Sequence, residues 1–407
     1  MTTDREVANL LGGRAAVAGI GATEFSKNSG RSEMRLAVEA VAAALADAAI
    51  APEDVDGMVT FTADTNPEIE IARNLGIPGL RFFSRIHHGG GAGGGCIQQA
   101  AMAVATGVAE VVVCYRAFNE RSGNRFGAGV QGRAPVANAE ASHFSWYAPF
   151  GLLTPAQWVA MFGRRIMHAY GVTSEDFGRI AVADRKHAAT NPAAFFYGKP
   201  ITLEDHQQSR WIVEPLHLLD CCQESDGAQA IVVTSLERAR DLRQRPVPVV
   251  AAAHGGTREW GRGFSWFGMP DDETFASSGH KAVADRLYRK AGVTPQDIDV
   301  ALIYDHFTPM VLMQLEEYGF CKKGEGGPFV LSGAIRYSAE RIPGTIPVNT
   351  HGGQLSEAYV IGATHIMEGV EQLRGTAINQ VEGAELALVT GGPAALPTSG
   401  LILGRDR

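Results

Sequence analysis

Residues 294–304 read TPQDIDVALIY, and residues 51–61 read APEDVDGMVTF. Each segment runs through a proline, an acid or amide, an Asp, a β-branched residue and a second Asp before an apolar stretch. The proline and acids suit a turn, and the apolar stretch suits a buried strand. Both follow a helical pattern: LAVEAVAAALADAAI at 36–50 in the first case and HKAVADRLYRKAGV at 280–293 in the second. Further along, a glycine-rich turn, a helix and the strand GVAEVVVCY (107–115) match a Gly-Gly turn, a helix and the strand GAELALVTG (383–391). The repeat is too long for a solenoid period. It implies two similar α/β units packed together about a pseudo-twofold, with the helix starts at 89–96 and 352–358 facing a shared centre. The expected division is 1–250 and 251–407, with an inserted loop region at about 117–215.

The second helix start carries the most suggestive chemistry. Residues 349–365 read NTHGGQLSEAYVIGATH. Paired glycines before a helix can aim backbone N–H groups at an anion, and a tyrosine and histidine beside them can handle protons. The expected helix runs over about 354–372 with Tyr359 in its first turn. The same pattern also describes a tight turn before a buried helix, so it does not decide alone.

The chain has 407 residues, 45% hydrophobic and 20% charged, with a net charge of −8. That length suits two core-bearing units. The negative balance argues against nucleic acid or an anionic membrane as the main partner. Five cysteines, Cys96, Cys114, Cys221, Cys222 and Cys321, form no CxxC and no metal-ligand spacing with histidine, so no metal site is expected. The first thirteen residues lack a signal-peptide pattern, and no apolar run reaches membrane-spanning length. A cytoplasmic protein with reduced thiols is expected.

Arg14 to Ile20 reads as a buried strand, and its GIG lacks the third glycine of a dinucleotide fingerprint. The run HHGGGAGGGC (87–96) is not a phosphate-binding P-loop, because no GK[ST] follows. It reads as close backbone approach to a ligand or a helix. In the insertion, Thr154 and Pro155 open a helix, and Phe144, Trp146, Tyr147 and Phe150 suit a bulky apolar substrate or a core.

This duplication, with SDGA at 225–228, YDHF at 304–307 and GGQLSEAYVIGATH at 352–365, resembles the thiolase superfamily over nearly the whole chain. The resemblance is to its sterol-carrier-protein-type and lipid-transfer-protein branch. It implies an α/β thiolase fold: two pseudo-duplicated βαβαβ halves in five α-β-α-β-α layers, with an inserted loop domain. The departures from the family pattern lie at its reactive positions. The nucleophilic cysteine position falls at about Gly91, with Cys96 five residues on. The histidine of the family's HDCF motif becomes Tyr304, and its cysteine becomes His306. The GHP histidine becomes Tyr359, and the late acid/base cysteine falls at about Thr390.

The segments CYRAFNERSGNRFG, YDHF and NTHGGQLSEAY are similar to the steroid side-chain-cleaving aldolase subunits of that branch. This resemblance implies retro-aldol cleavage of a β-hydroxyacyl-CoA thioester to a ketone and a shorter acyl-CoA. Coenzyme A enters as part of the substrate, with no covalently bound cofactor. It also implies a homodimer and a small zinc-ribbon/OB-fold partner that helps bind the CoA ester. The expected site is Tyr304 and Tyr359 as shared proton carriers, His306 and His351 orienting or charge-stabilising them, and backbone N–H groups at Gly91, Gly352 and Gly353 binding the enolate oxygen. Two other readings fit the glycine-rich helix starts equally: a thiolase using Cys96, and a non-catalytic acyl-CoA-binding subunit.

Overall fold

The computed structural model describes residues 10–87, 89–125, 127, 147–256, 277–392 and 397–406. Eleven strands occur among these residues: β1 (Ala15–Ala22), β2 (Gly57–Phe61), β3 (Phe82–Ile86), β4 (Val111–Asn119), β5 (Trp211–Val213), β6 (Leu216–His217), β7 (Asp226–Ser235), β8 (Val247–Gly255), β9 (Val300–Leu302), β10 (Leu386–Gly391) and β11 (Thr398–Gly404). Nine of them form one mixed sheet in the order β3-β2-β4-β7-β1-β8-β11-β10-β9. The order is a duplication: β1, β7, β4 and β2 of the first half correspond to β8, β11, β10 and β9 of the second. A parallel bridge from Ala301 to Val348 stands where β3 would be repeated.

The paired Asp residues show the duplication at atomic level. Asp56 accepts the N–H groups of Glu110 and Val111 at the start of β4. Asp299 accepts those of Glu385 and Leu386 at the start of β10. One residue in each half therefore tethers a turn to the neighbouring strand.

The halves join where β1 meets β8 at Ala16–Pro248 and Val17–Val247. The helices Ala92–Ala105 and Ala363–Arg374 contact strands of both halves and fill the central core. Outside, the helix Glu33–Ala48 packs on β1, β4 and β7, and the helix Lys281–Ala291 on β8 and β11. This gives the five layers. The GIG of β1 serves packing: a Cβ on Gly19 or Gly21 would lie 2.3 Å from the backbone of Ala44. Only alanine on the helix and glycine on the strand permit that approach, which is why the helix is Ala-rich.

The inserted region carries two long helices, Pro155–Tyr170 and Ser174–Thr190. Thr154 and Thr173 open them through capping boxes. Phe144 and Trp146 lie outside the described residues, and Phe150 is exposed. Among the described residues, no helix is long and apolar enough to cross a membrane.

One local expectation fails. The helix expected over 354–372 is two helices, Gly353–Ser356 and Ala363–Arg374. Between them the chain turns through Ile361 at φ 54 and Gly362 at φ 78. Tyr359 lies in this break, in a parallel bridge with Glu224, and not in a helical turn. The edge strand β3 and the helix Glu68–Leu75 were not anticipated.

Candidate active site

Tyr304, Asp305 and His306 lie just past the C-terminal end of β9, where open α/β sheets present their sites. The Tyr304 backbone is fixed on both sides. Its N–H donates to Thr390 Oγ1 at 2.8 Å, and its carbonyl accepts from Gln314 Nε2 at 2.9 Å. Thr390 Oγ1 in turn donates to Gln314 Oε1 at 2.6 Å. Thr390 thus holds a tyrosine in place.

The Tyr304 side chain is 1% exposed. Its hydroxyl rests on Gly90, where a Cβ would lie 2.2 Å from the oxygen. Its ring rests on Gly362, where a Cβ would lie 2.8 Å from Cε2. The glycine run and the interrupted helix therefore make a slot for one phenol. Tyr359 meets it there, with the two hydroxyl oxygens 3.4 Å apart. The Tyr359 N–H donates to the carbonyl of Gln223. Burial pushes both phenols above their ordinary range, and the nearness of Tyr304 raises Tyr359 further. The contact with Tyr359 and the charge of Arg116 pull Tyr304 the opposite way.

His306 packs beside this pair, its ring centroid 5.0 Å from that of Tyr304. Neither ring nitrogen has a hydrogen-bond partner among the described residues. Burial lowers its pKa to about 3, so it is a neutral imidazole with one N–H to offer. His351 lies further off. Its Nε2 is 3.7 Å from Glu357 Oε2, and its ring meets His365 edge-on at 4.9 Å. Burial depresses the His351 imidazole and raises the Glu357 carboxyl, so both are pushed toward their neutral forms.

The anion site expected at Gly352–Gly353 already has protein acceptors. The Gly352 N–H donates to the carbonyl of Asn349. The Asp305 carboxylate takes the N–H groups of Gln354 and Leu355 at 2.9 and 3.0 Å. A Cβ on Gly353 would lie 2.1 Å from Asp305 Oδ2, so the glycine admits the carboxylate. His365 Nε2 closes the cluster 3.0 Å from Asp305 Oδ1. Burial alone would raise Asp305, but the contact with His365 and the two N–H donors hold it down to about 2. Gly91 starts the helix Ala92–Ala105, with the carbonyl of Pro397 against its Cα.

The structure thus brings together Tyr304, Tyr359 and His306, places His351 one ring behind, sets Gly353 against Asp305 and ties the Gly352 N–H to the carbonyl of Asn349. Sequence reasoning missed Asp305, His365 and Gln314. Their available signal was position: Asp305 sits between two site residues, and His365 ends the NTHGG segment. The Cys96 sulfur lies 3.5 Å from the Thr60 carbonyl, 5% exposed and raised in pKa by burial. Cys222 is raised well above its usual range, also by burial.

Residues 15–237 match the family model "Thiolase, N-terminal domain", and residues 267–405 match "Thiolase C-terminal domain-like". The chain is a member of the thiolase family. It is 59% identical to a thiolase relative from Thermomonospora curvata, a "Steroid side-chain-cleaving aldolase", over 98% of this chain and 100% of that one. It is also 59% identical to the "17-hydroxy-3-oxo-4-pregnene-20-carboxyl-CoA lyase" of Mycobacterium tuberculosis, over 97% of this chain and 100% of that one. Among solved structures, an "Ltp2-ChsH2(DUF35) aldolase" superposes with a TM-score of 0.90 at 58% identity, covering 98% of this chain and 99% of that chain. This thiolase-family chain therefore falls in the branch of carbon–carbon lyases.

Proposed function

We propose that the chain cleaves a β-hydroxyacyl-CoA thioester by a retro-aldol reaction, releasing a ketone and a shorter acyl-CoA such as propionyl-CoA. The proposed acyl group is a steroid side chain. The support is the activity named for the two relatives at 59% identity. In the CoA ester named for one of them, the 17-hydroxyl is β to the thioester carbonyl.

The observation that carries the mechanism is the contact of Tyr304 and Tyr359 at 3.4 Å in a slot floored by glycine. The proposed working pair carries one proton and one negative charge, a form that burial opposes and that the contact with Tyr359 and the charge of Arg116 favour on Tyr304. The phenolate takes the proton of the β-hydroxyl. The bond between Cα and Cβ breaks, the Cβ oxygen becomes the ketone, and the electron pair moves into the thioester as an enolate. The other phenol gives its proton to Cα. Proton passage across the Tyr304–Tyr359 contact then restores the pair, so the cycle needs no external acid and no acyl-enzyme. A gap of 3.4 Å is long for O–H···O, as catalytic contacts often are before substrate binds. His306, neutral and without a partner, offers its N–H to the enolate oxygen, and Gly91 is a second donor. His351 acts from behind, through His365. Coenzyme A enters as part of the substrate.

The test is turnover of the thioester by Tyr304→Phe and Tyr359→Phe, with ketone and acyl-CoA products quantified separately. Each variant should lose about 10²- to 10⁴-fold in kcat while its melting curve stays close to wild type. Near-normal turnover in both variants would overturn the reading.

The proposed assembly is a homodimer that binds a small zinc-ribbon/OB-fold partner on each subunit, giving a heterotetramer. The superposing structure, named for an Ltp2–ChsH2(DUF35) complex, supports a partner of that kind. Co-expression with a candidate partner, followed by size-exclusion chromatography with light scattering, tests the stoichiometry.

A further inference from the structure

Arg116 lies on β4 directly opposite Gln229 on β7, and both side chains point into the central layer. It is 3% exposed, and its guanidinium lies over the Phe61 ring at 4.1 Å. Nη1 donates to the carbonyl of Ile361, 245 residues away. Nη2 has no hydrogen-bond partner among the described residues, and neither do both polar atoms of the Gln229 amide. These groups line one cavity of about 20 Å³, together with Cys96, Gly93 and Ala363. That is room for one water among polar partners.

Two further facts connect this buried cation to the reaction. Ile361 is a β-branched residue at φ 54, a conformation such residues rarely adopt. It follows Tyr359 by two positions and directly precedes Gly362, on which the Tyr304 ring rests. The Arg116–Ile361 bond therefore holds the turn that shapes both walls of the phenol slot. A Cβ on Gly93 would lie 4.0 Å from Nη2, and the Gly93 N–H donates to the carbonyl of Gly90, the floor under the Tyr304 hydroxyl. The guanidinium thus sits one helical turn from that hydroxyl.

We propose that Arg116 is a positioning residue for the proton-transfer pair: Nη1 locks the strained Ile361 turn, and the guanidinium, backed by a water shared with Gln229, supplies the positive charge that favours a negative oxygen on Tyr304. This rests on the reading of Tyr304 and Tyr359 as the proton carriers. The other charged or titratable groups facing Tyr304 are Tyr359, Cys222, Glu120, His306 and His365. Among them and Arg116, the guanidinium is the group that is cationic at every working pH. A buried arginine that merely filled space would leave no trace in the titration of Tyr304; one acting electrostatically would.

The test compares wild type with Arg116→Gln, Arg116→Lys and the double variant Arg116→Gln/Ile361→Gly. In Arg116→Gln, kcat should fall on the order of 10²-fold, a loss on the scale of one electrostatic donor. The limb of the pH–rate profile governed by Tyr304 should move to higher pH. Arg116→Lys should recover part of the pH shift, and added methylguanidine should recover part of the rate of Arg116→Gln. Glycine at 361 relieves the strained turn, so the double variant keeps the experiment readable if Arg116→Gln alone does not fold. The double variant should fold yet remain slow, with the shifted pH profile. Wild-type kcat in Arg116→Gln, or restoration of both rate and profile by glycine at 361, would overturn the electrostatic role. Loss of activity in the Tyr304→Phe and Tyr359→Phe variants alongside that result would leave the retro-aldol reading standing, so the two failures are distinguishable.

Discussion

Placing a methyl group on Gly90 would test the slot without touching either phenol. The Cβ of Gly90→Ala would lie 2.2 Å from the Tyr304 hydroxyl oxygen and 2.3 Å from Cζ. An ordinary contact at this distance scale is about 3.4 Å, so the ring must retreat by about 1.2 Å. It has little freedom to do so. Gly362 lies against its other face, and the Tyr304 backbone is held by Thr390 and Gln314. The displacement would disturb a hydroxyl contact with Tyr359 that stands at 3.4 Å, near the outer limit of hydrogen bonding. A shift of about 1 Å at a reacting group costs roughly 10²-fold in rate, close to 2.7 kcal/mol of barrier. Overpacking should cost about 1–3 kcal/mol of stability. The assay is kcat on the β-hydroxyacyl-CoA thioester beside a denaturant melt. The double variant Gly90→Ala/Tyr304→Ala supplies the control: the struck ring is gone, so the stability cost of Gly90→Ala should shrink in that background. Wild-type kcat in Gly90→Ala, or the same stability cost with and without the Tyr304 ring, would refute the reasoning.

Other outcomes follow from the same geometry. Asp305→Asn should destabilise the fold by about 3–5 kcal/mol, because it weakens the acceptor for Gln354 and Leu355 and leaves His365 without its carboxylate; a melt within experimental error of wild type would contradict it. Asp305 is depressed to about 2, so its contribution is present above the unfolded carboxyl range near 4 and is lost as pH falls toward 2. The histidines shift in the same direction and share the acid lability. His306 is lowered to about 3, and His187 and His280 to about 4, all chiefly by burial. Their stabilisation is complete above pH ~6.5 and falls away below it, by roughly 2 kcal/mol per ring between pH 6.5 and 5. His306→Gln should flatten that slope in calorimetry, and an unchanged slope would count against a neutral His306. Cys96→Ala should retain most of its turnover, and iodoacetamide should leave the turnover of the unsubstituted chain largely unchanged, since the sulfur is buried against the Thr60 carbonyl; an acyl adduct on Cys96 seen by mass spectrometry would reverse that conclusion.

The duplication was legible because its marker is local: a turn carrying Asp56 or Asp299 is written within a few residues, and each Asp caps the neighbouring strand in the same way. The pairing of Tyr304 with Tyr359 was visible only through the resemblance, since 55 residues separate them and no spacing rule links them. The broken helix was not legible. Its pattern is apolar and helical, and what interrupts it is a bond from Arg116 on a distant strand to the carbonyl of Ile361, a tertiary contact that overrides local preference. The carboxylate beside the Gly-Gly helix start was not legible for a related reason: Asp305, which takes the N–H of Leu355, lies 50 residues earlier in the chain. The edge strand β3 escaped notice because its short FFSRI run mixes exposed aromatics with an arginine.

The two phenols both come from the second repeat, whereas the glycine beneath them comes from the first. A duplicated unit ordinarily frees one copy to drift. Here the copy that contributes no phenol is still bound to the chemistry, because a side chain acquired at Gly90 would push on a ring it does not own. Substitutions at this seam should therefore be tolerated only in matched sets drawn from both repeats, and chimaeras that exchange one repeat between distant members of the family should fold more readily than they turn over.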